Sequence, residues 1–105
     1  MIQIKVDYQK EKVREIKITG HAEYAKKGRD IVCAAISSIV ITSVNGLLRL
    51  DEKAIDYYQE EDLMRIIVKK KDNVTNTLIV NLIELLFDLQ DQYPKNIEIR
   101  RCYDD

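Results

Sequence analysis

One proline and three glycines among 105 residues exclude a fibrous repeat, and no linker, internal repeat or low-complexity stretch interrupts the chain. Only two cysteines are present, 69 positions apart, and in a reducing compartment they read as free thiols rather than a bridge. With a single histidine beside them they are too few for a common structural zinc site, so no metal is expected. An excess of either charge is also missing. Seventeen basic against 18 acidic residues give a net charge of -1, which argues against a broad electrostatic footprint for nucleic acid or an anionic membrane. There is no 18-residue apolar run, and the opening MIQIKVDYQK alternates instead of carrying the apolar core of a secretory signal. The expectation is a cytoplasmic protein with no membrane partner and no direct nucleic-acid partner.

What is present is a globular composition, 46% hydrophobic and 33% charged. A chain of 105 residues can form one domain, spanning 1-105, that buries roughly two thirds of its unfolded surface without help from a metal or a disulfide.

Ile2, Ile4, Val6 and Tyr8 alternate with Gln3, Lys5 and Asp7, the period of two expected of a strand with one buried face. Beyond the polar QKEK, VREIKIT puts Arg14, Ile16 and Ile18 in step and predicts the second strand of a hairpin. Asp30 is a natural N-cap for a helix over Ile31 to Leu50, in which Ile36, Ile39, Val40, Leu47 and Leu50 recur at helical spacing. Asn45-Gly46 could end that helix a turn early. AIDYYQ and LMRIIVKK, split by EED, read as a second hairpin. Asp72 or Asn73 can cap a second helix in which Val74, Leu78, Leu82, Leu85 and Leu89 form a stripe beside Ile79, Ile83 and Leu86, with Pro94 marking its end. NIEIRRC makes a last strand. The order ββαββαβ predicts an α+β two-layer sandwich, two helices packed on one mixed, mainly antiparallel sheet. The stripe on the second helix is wide enough for part of it to meet another chain, which pattern alone does not decide.

The chemistry-bearing residues gather in GHAEYAKKGRDIVCAA, residues 20 to 35. Cys33 falls in the first turn of the first helix, where unpartnered backbone N–H groups carry partial positive charge and stabilise an anion. A free cysteine has a pKa near 8.5, and helix N-termini or a neighbouring imidazolium bring it down to about 3.5 to 7.5. The same amides could also meet the oxyanion formed when a thiolate attacks a carbonyl. His21 lies 12 residues earlier, which a continuous helix would hold about 18 Å away, so contact requires a loop that doubles back. Gly20 and Gly28 sit at the two ends of that loop, where positive φ or close backbone approach carries little steric cost. On residues alone the alternatives stay open: IVCAAI is apolar enough for Cys33 to be a packing residue, and His21 could be a surface residue at a strand end. Cys102, beside Arg100 and Arg101 in the terminal strand, is the weaker nucleophile candidate because no base lies near it in sequence.

GHAEYAKKGRDIVCAAIS closely resembles the signature of the ribosomal-processing cysteine protease family: a Gly-His-Ala triplet, a glycine-ended loop, then Asp-Ile-Val-Cys-Ala-Ala-(Val or Ile)-Ser. The likeness extends over essentially the whole chain, including the opening hairpin, Asn45-Gly46-Leu47 and the apolar second helix, with Ile36 standing where valine is common. The resemblance implies removal of a short N-terminal extension from the precursor of a large-subunit ribosomal protein, by cleavage after a hydrophobic, aromatic-containing stretch. It implies Cys33 as nucleophile and His21 as general base and then acid, with no cofactor and no metal. Gly20 and Gly28 would shape a loop over the cleft, and Asp30 and Ser37 would be supporting residues, although Asp30 also serves as a helix cap and Ser37 as a small packing residue. It further implies a homodimer. Three other readings compete with it: a noncatalytic ribosome-assembly factor binding the same ribosomal protein, a thiol redox protein, and acyl transfer to an acceptor other than water. The first would be expected to lose a reacting residue or a loop glycine, and all four are here. The second lacks the usual C-x-x-C pair.

Overall fold

The computed structural model describes residues 1–22, 25–26 and 30–104. Its elements run β1 (Ile2–Gln9), β2 (Lys12–Thr19), α1 (Ile31–Leu50), β3 (Ile55–Glu60), β4 (Leu63–Val68), α2 (Asn73–Gln92) and β5 (Ile97–Asp104). The five strands form one sheet in the order β3-β4-β2-β1-β5. Every neighbouring pair is antiparallel except β1 and β5, which run parallel from the Ile2–Ile97 pair to Gln9–Asp104. This is the expected ββαββαβ two-layer arrangement with a mixed sheet.

Alternation puts Ile2, Ile4 and Val6 of β1, Ile16 and Ile18 of β2, Ile66 of β4 and Ile97 of β5 in the core, each at most 4% exposed. In β2 the expected face is interrupted. Asp7 pairs with Glu15 but Tyr8 pairs with Val13, so Arg14 is the extra residue of a bulge. Val13 is buried three positions before Ile16, and Arg14 is not the core-facing residue that the sequence pattern implied.

Helix α1 presents Val32, Ile36, Val40, Val44 and Leu47 as a buried stripe. It runs through Asn45-Gly46 to Leu50 rather than stopping a turn early. Glycine inside a helix costs about 1 kcal/mol, and the complete burial of Leu47 one residue later outweighs that penalty. By length and composition α1 is apolar enough to cross a membrane, a property that the absence of an unbroken 18-residue apolar run did not convey. Helix α2 starts at the Asp72 cap, whose side chain accepts from the Thr75 N–H, so Asp72 rather than Asn73 is the cap. Its buried face is Thr75, Ile79, Leu82, Ile83, Leu86 and Leu89. Val74 and Leu85, expected in the core stripe, are turned outward and exposed. Two contacts tie α2 to β5: the Arg101 guanidinium lies 4.4 Å from the centre of the Phe87 ring, and Gln90 Oε1 accepts from the Ile99 N–H at 2.8 Å.

Candidate functional site

The candidate residues His21 and Cys33 line one cleft at the N-terminal end of α1. Asp30 caps the helix: its Oδ1 accepts from the N–H groups of Val32 at 3.0 Å and Cys33 at 3.1 Å. Its Oδ2 accepts from the Ala25 N–H at 3.4 Å, which ties the cap to the preceding segment. Cys33 therefore sits in the first turn as expected, but the first-turn amides do not play the part the sequence suggested. Those of Val32 and Cys33 are engaged by a carboxylate, so they are not free donors for an oxyanion.

The sulfur finds its donor elsewhere. The Ala22 N–H points at Cys33 Sγ from 3.4 Å. Ala22 is held firmly, 1% exposed, with its carbonyl accepting from Asn96 Nδ2 at 2.9 Å. Asn96 also fixes the start of β1, since its carbonyl accepts from the Ile2 N–H at 2.8 Å. One residue before His21, Gly20 adopts φ +88 and donates its N–H to the Asp62 carbonyl at 3.2 Å. A Cβ built there would meet the Met1 carbonyl oxygen at 2.6 Å, so both positive φ and close backbone approach require glycine. His21 is thus carried on a backbone pinned on both sides.

His21 extends into the same cleft as Cys33. Its Nε2 lies 2.6 Å from Asp62 Oδ1, with both side chains about half exposed. Asp62 belongs to the two-residue turn between β3 and β4 and sits at φ +64, a conformation aspartate tolerates better than most residues. The cleft, about 180 Å³, has its floor on the sheet at Ile2, Ile18 and Met64 and its roof on α1 at Cys33, Ile36 and Ser37. Ser37, one helical turn beyond Cys33, therefore shares its face. Gln59, Glu60 and Leu63 close the β3–β4 side.

Of the residues singled out in the sequence, Gly20, His21, Cys33 and Ser37 line this cleft, and Asp30 stands behind it as the helix cap. Gly28 and most of the loop it ends lie outside the described residues. Cys102 is on β5, paired with Asp7 on the opposite face of the sheet from the core residues Ile97 and Ile99. Two residues were missed. Asp62 is 41 positions from His21, and only the pairing of Thr19 with Leu63 brings its turn alongside. Asn96 is 74 positions from Ala22 and reaches it because β5 lies parallel to β1. Neither had a local sequence signal beyond turn-forming character.

The sequence profile of the family described as cysteine protease Prp matches residues 1–98. The ribosomal processing cysteine protease Prp of Staphylococcus aureus is 28% identical over 91 residues, covering 84% of this chain and 86% of that protein. The protein of the same name from Mycoplasma genitalium is 33% identical over 82 residues, covering 76% of this chain and 80% of the relative. A crystal structure of the S. aureus protease with a covalently linked product peptide superposes with a TM-score of 0.87 at 25% identity, over 99% of this chain and 100% of that one.

Proposed function

The chain belongs to the cysteine protease Prp family, and from that premise we propose that Cys33 is its nucleophile, His21 its general base and acid, and the precursor of a ribosomal protein its substrate. The observation that carries this reading is the shared cleft, in which His21 and Cys33 face one space and the Ala22 N–H is directed at the sulfur. The relatives' names, ribosomal processing cysteine protease, support the substrate class.

Cys33 gives its proton to the imidazole, and the thiolate attacks the scissile carbonyl carbon to form a C–S bond. His21 then protonates the departing amine as the C–N bond breaks, leaving a thioester and a free N-terminus on the product. Water, losing a proton to the same imidazole, attacks the thioester and releases the acid, which restores the thiol. The thiol's proton leaves with the amine and a proton from water replaces it on sulfur, so the cycle consumes one water and regenerates the enzyme without a cofactor. Ala22 N–H steadies the sulfur anion at each stage where it is exposed. Ile2, Ile18, Leu63 and Met64 supply an apolar wall that could take the hydrophobic, aromatic-containing stretch expected before the cut in the extension of a large-subunit ribosomal protein. Such a substrate also supports a cytoplasmic location.

We further propose a homodimer formed through the helical layer. Between α1 and α2 a groove of about 350 Å³ is lined by Ile39, Gly46, Leu78 and the exposed Leu85. It continues past Leu78 to the exposed Val74. A second copy would cover these apolar side chains.

Incubation with the ribosomal precursor from the same cell, followed by mass measurement, tests activity, substrate and cut site together. A product shortened after the aromatic stretch is expected from the native chain and none from Cys33→Ala; cleavage by Cys33→Ala would remove Cys33 from the mechanism.

A further inference from the structure

We propose that Asp62 is a positioning residue for His21, supplied by the β3–β4 turn, so that the reacting centre is a triad rather than a dyad; this rests on the proteolytic reading above. Two contacts from one residue carry the inference. Asp62 Oδ1 lies 2.6 Å from His21 Nε2, and the Asp62 carbonyl accepts from the Gly20 N–H at 3.2 Å. The side chain thus meets the ring while the backbone holds the residue before it. Pairing of Leu63 with Thr19 sets the turn at this height, and Asp62 lines the same cleft as Cys33.

The chemistry follows from which nitrogen is engaged. A carboxylate at Nε2 keeps the proton of the neutral ring on that nitrogen and leaves the Nδ1 lone pair to take the thiol proton. Once the ring is charged, the carboxylate faces an imidazolium and favours it. Asp62 itself forms and breaks no bond. Asp30, the nearest carboxylate in sequence, is directed at the helix it caps, its oxygens accepting from the amides of Val32, Cys33 and Ala25.

Two substitutions separate the side chain from the turn. Asp62→Gly deletes the carboxylate but suits the positive φ and keeps the carbonyl that holds Gly20. Asp62→Asn also tolerates that conformation but is neutral and can turn its NH2 toward the ring, which would leave the proton on the other nitrogen. The readouts on the full chain are the rate of Cys33 alkylation by iodoacetamide, located by mass spectrometry, and kcat and KM on a peptide carrying a hydrophobic, aromatic cleavage stretch. Asp62→Gly is expected to lower both the alkylation rate and kcat about tenfold, well short of the ~10⁴ loss when a buried triad carboxylate is changed, because this pair is half exposed. KM should stay within about twofold, and Asp62→Asn, which keeps the turn but not the charge, should recover little of the loss. In a His21→Ala background Asp62→Gly should cost nothing further, since it acts through the ring.

Wild-type alkylation and turnover in Asp62→Gly would overturn the proposal. So would an equal loss with and without His21, the pattern of a loosened hairpin, which would also lower the melting midpoint by circular dichroism. The alkylation comparison needs no peptide. A native chain that cuts nothing would therefore refute the proteolytic reading, while alkylation still decides whether Asp62 acts on His21.

Discussion

The N–H of Ala22 faces the sulfur of Cys33 across 3.4 Å. That amide belongs to the residue next to the imidazole, so ring and sulfur are registered through one short piece of backbone. Its carbonyl is held by Asn96, from the far end of the chain. Asn96→Ala should leave the carbonyl of a buried residue without its partner and cost about 1–3 kcal/mol in chemical denaturation. Alkylation of Cys33 should slow in the same variant, because the amide beside the sulfur is no longer fixed. An unchanged midpoint would mean that water replaces the side chain.

Gly20→Ala combines two penalties, a left-handed backbone and a Cβ 2.6 Å from the Met1 carbonyl oxygen. The backbone alone costs an L-residue about 1–2 kcal/mol, and the clash forces the start of β1 to shift. Both melting temperature and peptide cleavage are expected to fall, cleavage more steeply if the Gly20–Asp62 bond positions His21 as proposed. Wild-type cleavage in a folded Gly20→Ala would show that the pinning is unnecessary.

Acid should loosen the fold at the C-terminal end of α1 and the start of α2. Lys70, followed by the Lys53 N–H, holds the Asp51 carboxyl below its ordinary value of 3.8. The Thr75 hydroxyl and N–H, with Lys70 farther off, do the same for Asp72. A carboxyl with a lowered folded-state pKa binds fewer protons in the folded chain than in the unfolded one. Its contribution is therefore present above about pH 3.8 and lost as pH falls through the lower folded values. Melting midpoints measured from pH 6 down to pH 2, roughly the range over which such carboxyls titrate, should decline more gently in Asp51→Asn and Asp72→Asn than in the native chain. Parallel curves would place the acid sensitivity elsewhere.

The β1–β2 turn offers a stabilising change remote from the cleft. Lys10 and Glu11 both take positive φ, 51 and 67 degrees, in a two-residue connection that favours Asn-Gly. Replacing the pair by Asn-Gly should raise stability by about 1 kcal/mol in urea unfolding and leave cleavage unchanged, since this turn is at the end of β1 opposite Ile2. A loss of cleavage would contradict that separation.

Sequence periodicity was sufficient for the architecture because each strand and helix carries its buried face locally: Ile2, Ile4 and Val6 need no knowledge of their neighbours to read as a strand. It failed where pairing sets the answer. The Arg14 bulge depends on how β2 meets β1, and the outward turn of Val74 and Leu85 depends on how α2 rolls against α1 and the sheet. The cleft shows the same division. Gly20, His21, Cys33 and Ser37 lie within 18 residues and declared themselves as a motif, whereas Asp62 and Asn96 arrive through strand order. Asp30 was read correctly as a cap, yet the consequence of that cap, two amides already taken, needed coordinates.

The parallel pairing of β1 with β5 has a practical corollary for handling the protein. Met1 abuts Gly20, and Ile2 forms part of the cleft floor, so residues fused ahead of Met1 would emerge beside the cleft that holds His21 and Cys33. β5 leaves from the same height at Ile97 and travels away, which carries Asp104 roughly 23 Å down the sheet at 3.3 Å per residue. An affinity handle belongs on that distant end, and a preparation labelled in front of Met1 would be expected to look sluggish for reasons unrelated to its chemistry.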